Sequence, residues 1–434
     1  MAVERGKAHS DDLLRGKNVA ALSEADRHLA TALVLGVLRW QIWLDAQIHP
    51  LLTRPNAKLD AEARVALRMG AFQLRRMDRI PPHAAIDESV ALTKKAGHQF
   101  AAKMVNAVLR KLSGGAPRSP ISDEVGRDSA AAVAHPRWMV DRWASFYGAD
   151  AARAICAHGQ SQPEAAVRVL DLAVEKELST EGIVLKPGEL LSAARIVSAG
   201  DVAATAAFRE GRVRLQDEGS QLVAEIAGRG EAILDCCAAP GGKTLILAER
   251  NPGSRVVACE SSPQRLTQLK ERLASLEERV EFRLGDAAEL QDADAFDLVL
   301  ADVPCSGTGT LGRNPEIRHR LRAEDLARQA ERQEAILRAA LRALRPGGRL
   351  VYSTCSLEPE ENEQVVTEAL ASTPDAHVIS MPDRIGELLS EGTLKQGSAE
   401  RLRACVTSEG YLRLLPGTFQ TDGFFIAMMG KRRG

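Results

Sequence analysis

Three features are scarce in this sequence, and each scarcity excludes a class of protein. The seven cysteines form no CxxC pair, and no histidine lies at metal-ligand spacing from another histidine or a cysteine. We therefore expect neither a disulfide scaffold nor a metal site. No run of about 18 apolar residues occurs and the polar start lacks a signal-peptide core, so we expect a cytoplasmic protein without membrane contact. Aromatic residues make up only 4% of the chain, which leaves little scope for a base-stacking platform.

What the chain does have is length and an uneven charge. Its 434 residues exceed what one hydrophobic core usually serves. The net charge of −1 hides a basic first part, because residues 1–113 hold 18 Lys and Arg against 11 Asp and Glu. A basic module joined to a mildly acidic remainder favours contact with an anion such as nucleic acid, although a solvated helical surface explains the charge equally well.

Local patterns divide the chain into four segments. Residues 1–113 show helical periodicity, with a serine N-cap at Ser23, and predict an all-helical domain. Residues 114–130 are rich in Gly, Pro and Ser and predict an interdomain linker. Residues 131–215 begin with one helical run, HPRWMVDRWASFYGADAARAICAHGQ, and continue with short β-prone runs, as in a small α+β module.

In residues 216–434 strands and helices alternate, which predicts a doubly wound parallel sheet. The predicted strands are AILDCCA, RVVACE, VEFRLGD, FDLVLADV and GRLVYSTC, and the first of them is followed by the helix GKTLILAER. YLRLLP and GFFIAMMGK are predicted to add a late antiparallel edge.

The first predicted strand of that sheet ends in DCCAAPGGKT, a candidate ligand-binding loop. Gly241 and Gly242 let backbone approach a ligand closely, and the next helix presents its N-terminus to it. The next two strands end in Glu260 and Asp286, and acids at successive strand ends suit a nucleoside that carries few phosphates. The alternative is a P-loop-like nucleotide hydrolase, since GGKT resembles a P-loop, but Cys237 stands where that motif needs glycine.

This combination resembles an S-adenosylmethionine-dependent methyltransferase. The resemblance implies that S-adenosylmethionine is the cofactor, that Glu260 takes the ribose hydroxyls and that Asp286 takes the adenine amino group. It also implies that Arg265 and Asp302 contact the cofactor. The loop implied to lie against the methionine part consists of Cys237, Ala238, Ala239, Pro240, Gly241, Gly242 and Lys243.

Two further strands end in cysteine motifs, DVPCSGTGT with Cys305 and VYSTCS with Cys355. Carbon 5 of cytosine is a weak nucleophile, and a thiolate that adds to carbon 6 activates it by making an enamine. An acid near ring nitrogen 3 would ease that addition, and Asp302 is placed for this; a base must later remove the carbon-5 proton. From the residues alone, either cysteine could be the one that attacks.

DVPCSGTG together with YSTCS resembles the RNA cytosine-5 methyltransferases of the NOL/NOP/Sun family. The resemblance implies that Cys355 attacks, that Cys305 assists product release, and that Lys243 contacts the cofactor or Asp302. QDEGSQLVA, GRNPEIRHR and PGTFQTDGFFIAMM extend the resemblance over most of the chain. It also implies a class I methyltransferase domain of Rossmann-like fold.

The helical first domain followed by HPRWMVDRW looks like the bacterial branch called Sun or RsmB, whose first domain resembles the RNA-binding factor NusB. That branch acts on a cytosine in 16S ribosomal RNA, so we expect this RNA as partner and a monomeric enzyme. Departures from the family are Glu260 in place of Asp, Arg318-His319 in place of Lys-Trp, and Gln162 in place of Asn. A noncatalytic RNA-binding or ribosome assembly factor is the remaining alternative. The predicted phosphate contacts are Arg75, Arg76, Lys94, Lys95, Lys103, Arg110 and Lys111.

Overall fold

The computed structural model describes residues 2–3, 6, 8–14, 16–53, 59–114 and 133–433. The chain divides into two compact units. Unit 1 consists of Met1–Gln162 and Leu311–Leu321, and unit 2 of Pro163–Thr310 and Arg322–Gly434. The four segments predicted from the sequence stay a prediction, and most of the predicted linker lies outside the described residues.

Unit 1 is helical, as the periodicity predicts. Its core is formed by apolar side chains that include Trp40, Trp43, Leu67 and Leu109. Its helices are Ser10–Leu14, Lys17–Ala20, Glu24–Ile48, Ala61–Arg76, Pro82–Lys95, Gln99–Ser113, Arg137–Tyr147, Ala149–Gln160 and Ile317–Arg320.

The longest helix of unit 1 begins and ends close to where the sequence predicts. Ser23 caps it, because the serine side chain accepts a hydrogen bond from the main-chain nitrogen of Asp26 at 3.2 Å. Within the described residues, the stretch Glu24–Leu51 is long and apolar enough to cross a membrane, with a mean hydropathy of 1.3. Trp40, Trp43 and Leu44 of this helix are nevertheless buried inside unit 1, and core helices of soluble proteins meet the same criterion.

One predicted helical run is two helices in the structure. Gly148 separates Arg137–Tyr147 from Ala149–Gln160 and has a φ of +85°. This left-handed value is incompatible with a right-handed helix and is favourable for glycine. The break therefore follows from one residue inside an otherwise helical pattern.

A segment from the second half of the chain, Leu311–Leu321, folds as part of unit 1. Its Glu316 accepts hydrogen bonds from the main chain and the hydroxyl of Ser10 at 3.0 and 2.8 Å. Burial and, to a smaller extent, the nearby Arg39 charge lower the pKa of the Arg318 guanidinium to about 9. Arg318 is 1% exposed and donates, at 2.8–3.1 Å, to the main-chain carbonyls of Arg39, Ala134, Gly159 and Leu311.

Unit 2 begins at Pro163 with a small sheet, whereas the earlier residues of the predicted 131–215 module belong to unit 1. This sheet is antiparallel throughout and has the order β2-β3-β1-β4. The helices Leu172–Thr180 and Ala206–Arg209 accompany it, and Val167, Leu178 and Ile183 lie in its core. Its strands are β1 (Ala165–Arg168), β2 (Val184–Pro187), β3 (Ala194–Ala199) and β4 (Arg214–Leu215).

The rest of unit 2 is a doubly wound α/β domain, which confirms the predicted fold class. Strands β5 to β9 pair in parallel with one another, whereas β12 pairs antiparallel with β9, β10 and β11. The strands are β5 (Ala232–Asp235), β6 (Arg255–Glu260), β7 (Val280–Leu284), β8 (Phe296–Asp302), β9 (Leu344–Thr354), β10 (Ala376–Val378), β11 (Leu412–Leu414) and β12 (Phe424–Lys431). The helices are Glu218–Ala227, Gly242–Arg250, Pro263–Arg272, Asp325–Ala343, Glu363–Ala371, Met381–Ser390 and Ala399–Arg403.

The strand order places a crevice between β5 and β8. The order is β10-β12-β9-β8-β5-β6-β7, with β11 also paired to β12, so the chain runs outward from β5 to β7 and then returns to β8. Ligands of such sheets bind beyond the carboxyl ends of the strands at this reversal. The two late runs predicted as an antiparallel edge are β11 and β12, and β12 is covered by β10, a strand that the sequence analysis missed.

Candidate active site

The loop after β5 is shaped by its proline and glycines. The Ala239–Pro240 peptide bond is cis, and Gly241 has a φ of +104°. A Cβ on Gly241 would lie 2.7 Å from a methyl group of Leu269, so both the backbone angle and the space require glycine here. The helix that follows begins at Gly242. All of the predicted cofactor loop therefore lies at the switch point of the sheet.

Asp235, the last residue of β5, was not among the predicted site residues. It is buried, and its carboxylate accepts a hydrogen bond from the Thr244 hydroxyl at 2.7 Å. Burial raises the pKa of Asp235 to about 6, with a smaller contribution from the charge of Asp302. An aspartate at a strand end is common, so the sequence held no signal that this one is buried.

Lys243 and Asp302 form an ion pair across the crevice. The lysine Nζ lies 2.7 Å from Oδ2 of Asp302, while the Ser353 hydroxyl donates to Oδ1 at 2.7 Å. Burial opposes the charged form of Lys243, but the charge and hydrogen bond of Asp302 outweigh it and raise the pKa of the lysine. The structure thus brings two of the predicted residues into direct contact and adds Ser353, which the sequence analysis missed.

The acids at the ends of β6 and β7 lie on adjacent strands. Glu260 is buried and accepts a hydrogen bond from the main-chain nitrogen of Ser262 at 2.9 Å. Its other oxygen is 3.4 Å from Arg265, which also donates to the carbonyl of Ala239 at 2.8 Å. Asp286 comes two residues after Leu284, the register partner of Glu260. The two carboxylates therefore face the same edge of the sheet, together with the loop after β5.

The two motif cysteines meet, although fifty residues separate them in sequence. The sulfur atoms of Cys305 and Cys355 are 3.3 Å apart. The hydrogen bond shared with Cys355 and then burial raise the pKa of the Cys305 thiol well above its ordinary value. A thiol with a raised pKa stays protonated near neutrality and is a poor initial nucleophile.

The Cys305 loop packs closely against Gly423, directly before the start of β12. The Gly309 nitrogen donates to the Cys355 carbonyl at 2.8 Å, and the Gly423 nitrogen donates to the Gly309 carbonyl at 2.8 Å. A Cβ on Gly309 would lie 2.5 Å from the Gly423 carbonyl oxygen. The Leu357 nitrogen also donates to the Thr308 hydroxyl at 2.8 Å, so the two cysteine loops are joined at several points.

The remaining predicted cofactor contact, Cys237, is partly buried, and burial raises the pKa of its thiol. Within the part of the chain that the structure describes, no group of three or more His, Cys, Asp or Glu side chains is arranged to hold a metal ion. Every predicted catalytic and cofactor-binding residue lies in unit 2, and all of them follow the carboxyl ends of β5 to β9.

The fold is the Rossmann-like fold expected of a class I methyltransferase, and a pair of cysteines lies beyond the carboxyl ends of its strands. Residues 226–430 match the model of the family described as 16S rRNA methyltransferase RsmB/F, and residues 3–114 match the NusB family. The chain belongs to the RsmB/F family of methyltransferases, with a NusB-like first domain.

Similar proteins extend over the full length. The chain is 34% identical to the probable ribosomal RNA small subunit methyltransferase B of Bacillus subtilis, covering 99% of this chain and 96% of that protein. It is also 34% identical to the ribosomal RNA small subunit methyltransferase B of Pseudomonas putida, covering 93% and 92% of the two chains. Among solved structures, PH0851 shares the fold with a TM-score of 0.77 at 22% identity, and the match covers 99% of this chain and 97% of that chain.

Proposed function

We propose that this protein methylates carbon 5 of a cytosine in ribosomal RNA, most simply in 16S rRNA, with S-adenosylmethionine as methyl donor. One observation carries the proposal: two thiols 3.3 Å apart lie in a crevice that also holds the Lys243–Asp302 ion pair. A pair of cysteines has no use in simple transfer to an exocyclic amine, whereas carbon-5 methylation needs covalent activation of the ring.

The residues of the crevice suit the methyl donor. Glu260 and Asp286 are carboxylates on adjacent strand ends and can accept hydrogen bonds from ribose hydroxyls and an adenine amino group. The loop from Cys237 to Lys243 follows β5 at the switch point of the sheet, and it is proposed to lie against the methionine part of the donor. Arg265 and Asp302 complete the proposed cofactor contacts. When bound, S-adenosylmethionine would supply an electrophilic methyl group.

In the proposed reaction, Cys355 is the nucleophile and Asp302 assists it. The thiolate of Cys355 adds to carbon 6, while Asp302, held by Lys243 and Ser353, relays a proton from Lys243 to ring nitrogen 3. Carbon 5 then bonds to the methyl group as the bond from that methyl group to the donor sulfur breaks. A base removes the carbon-5 proton, the ring double bond re-forms as the bond from carbon 6 to sulfur breaks, the thiolate leaves, and nitrogen 3 returns its proton to the Lys243–Asp302 pair.

Cys305 is assigned to the release step. The resemblance of YSTCS to the motif whose cysteine attacks in the cytosine-5 methyltransferases supports Cys355 as the attacking residue. The Cys305 sulfur is close enough to Cys355 to act on a cytosine that is covalently attached to the Cys355 sulfur. Asp302, Lys243 and the two cysteines are thus proposed as the catalytic residues.

We propose that unit 1 binds the RNA backbone. Arg76 stacks over the Trp40 ring, with its guanidinium carbon 3.9 Å from the ring centroid, so part of its role is structural. Of the predicted contacts, Arg75 is partly buried, and the exposed ones are Arg76, Lys94, Lys95, Lys103, Arg110 and Lys111. Phosphate contacts of this kind position RNA without reading its sequence and weaken steeply with salt. The cytoplasmic, monomeric and metal-free state expected from the sequence fits this function and stays a prediction.

The decisive experiment replaces the cysteines one at a time. Purified variants are incubated with labelled S-adenosylmethionine and with 16S or 23S rRNA, and both methylated RNA and protein joined covalently to RNA are measured. Cys355→Ala should abolish methyl transfer, and Cys305→Ala should accumulate the covalent protein–RNA species because release fails. Cys405→Ala, which changes a cysteine outside the site, is the control.

The outcome distinguishes the competing functions. A covalent species formed by the Cys355 variant instead would reverse the roles of the cysteines. Calorimetry with ATP and with S-adenosylmethionine separates a nucleotide hydrolase from a methyltransferase. A chain that binds rRNA but transfers no methyl group to any of these RNAs would be a noncatalytic assembly factor.

A further inference from the structure

One buried carboxylate, that of Glu361, is tied to both cysteine loops. Its Oε1 accepts a hydrogen bond from the main-chain nitrogen of Ser306 at 2.8 Å, and its Oε2 accepts from the hydroxyls of Ser306 and Ser356. Ser306 directly follows Cys305, and Ser356 directly follows Cys355. A single side chain therefore joins the residues next to the two thiols.

The network is closed on its other sides as well. Gln333 donates from Nε2 to Oε1 of Glu361 at 2.9 Å and also to the carbonyl of Pro304 at 2.9 Å, one residue before Cys305. The Tyr352 hydroxyl donates to the main-chain carbonyl of Glu361 at 2.6 Å. Both the carboxylate and its own backbone are thus fixed in place.

The electrostatics of Glu361 set it apart from an ordinary core residue. It is fully buried, and no Lys, Arg or His in the described part of the chain pairs with it. A buried carboxylate without a cation is expensive to desolvate unless hydrogen bonds replace its water, and hydrogen bonds to a charged group are stronger than neutral ones. The four hydrogen bonds from Ser306, Ser356 and Gln333 replace the lost hydration of the carboxylate. The carboxylate in turn fixes the positions of the two cysteine loops.

We propose that Glu361 is a positioning residue that holds the Cys305 and Cys355 sulfurs in the arrangement that attack and release require. It contacts neither thiol and acts through the serines that follow them. The inference rests on the proposed function for its effect on turnover, but the geometry that it concerns can be measured without any reaction.

The first experiment uses Glu361→Gln, which keeps the size of the side chain but replaces one accepting oxygen by a donating amide. Methyl transfer to rRNA should fall about 10²-fold in kcat, the scale of a small misplacement of reacting groups, while KM for S-adenosylmethionine stays within about twofold. Glu368→Gln, at an exposed position on the following helix, is the matched control and should match the wild type.

The second experiment measures the thiol geometry directly, in the absence of RNA and cofactor. Diamide oxidises a thiol pair to a disulfide and takes up the two electrons and two protons to become the hydrazine. Mass spectrometry of digests follows the Cys305–Cys355 disulfide over time. In Glu361→Gln its formation should be at least about tenfold slower than in the wild type, since proximity sets the rate. Ser306→Ala and Ser356→Ala should each slow it by less.

The two readouts separate the failure of this inference from the failure of the proposed function. Slower disulfide formation in a chain that never methylates RNA would keep the positioning role and refute the function. A folded Glu361→Gln chain with wild-type turnover and wild-type disulfide formation would overturn the inference, as would an equal loss of cofactor affinity and turnover. If Glu361→Gln does not fold, the Ser306→Ala/Ser356→Ala double variant is measured instead, with the same results expected.

Discussion

Asp235→Asn should stabilise unit 2 at neutral pH and leave its stability unchanged in acid. Asp235 is buried at the end of β5, and burial raises the pKa of its carboxyl to about 6, against an ordinary value of 3.8. Asparagine keeps nearly the same shape and can still accept the hydrogen bond from Thr244. The substitution therefore removes a buried charge while it preserves most of the packing.

The size of the effect follows from the two pKa values. Because the carboxyl ionises more readily in the unfolded chain, the wild type loses stability as the pH rises from 3.8 through about 6, and the loss is then constant. That difference in pKa corresponds to about 3 kcal/mol in the free energy of unfolding. The advantage of Asp235→Asn should accordingly be near zero at pH 4, grow through pH 6 and level off at about 3 kcal/mol.

Urea unfolding from pH 4 to 8, followed by far-ultraviolet circular dichroism, measures this. Tryptophan fluorescence gives an internal reference, because Trp40, Trp43, Trp138 and Trp143 all belong to unit 1. Thr244→Val removes the hydrogen bond that lowers the pKa of Asp235, so it should shift stability in the opposite direction at pH 7. Equal stability of Asp235→Asn and the wild type at pH 8, or a difference that does not change with pH, would refute the reasoning.

Two further predictions concern a glycine without room for a side chain and a buried arginine that donates four hydrogen bonds. Gly309→Ala should lower both the stability of unit 2 and methyl transfer, because the new Cβ would lie 2.5 Å from a backbone carbonyl oxygen. The control is Gly253→Ala, which should change neither, because nothing lies within 4 Å of its new Cβ. Equal melting temperatures of the two variants would contradict this prediction. Arg318→Met should destabilise unit 1 by roughly 2–4 kcal/mol, since four carbonyls lose their donor, partly offset by the removed charge. Thermal melting followed by tryptophan fluorescence tests it, and an unchanged transition would count against the hydrogen-bond argument.

The strands that were predicted well share a simple property. β6 and the helix Gly242–Arg250 have the predicted bounds, and β5 and β8 differ from the prediction by only a few residues at one end. The three strands could be predicted because continuous apolar runs bounded by turn residues are typical of buried parallel strands. β10 was missed because three residues carry no periodicity, and it exists only by pairing with β12. β9 begins at Leu344 rather than Gly348 because its pairing with β8 continues past a break in register at Phe296/Leu298.

The site shows the same division between local and distant information. Gly241, Lys243, Asp302 and the two cysteines stand in short motifs that can be read directly from the sequence. Glu361 cannot be found that way, since its partners Ser306 and Gln333 lie 55 and 28 residues away and become neighbours only when the sheet forms. The motif residues of the candidate site could be located from the sequence, whereas the groups that hold them in place could not.

The position of Leu311–Leu321 has a consequence for synthesis on the ribosome. Unit 1 lacks the guanidinium of Arg318 and the carboxylate of Glu316 until residue 321 has emerged, yet the residues between Gln162 and Leu311 belong to the other unit. At about 5–20 residues per second, translation of that intervening stretch takes on the order of ten seconds or more. During this time the main-chain carbonyls of Arg39 and Ala134 lack the hydrogen bonds that Arg318 later donates. The first unit to be translated is therefore completed only when most of the second has been made, and the nascent chain must fold its two halves in interleaved order.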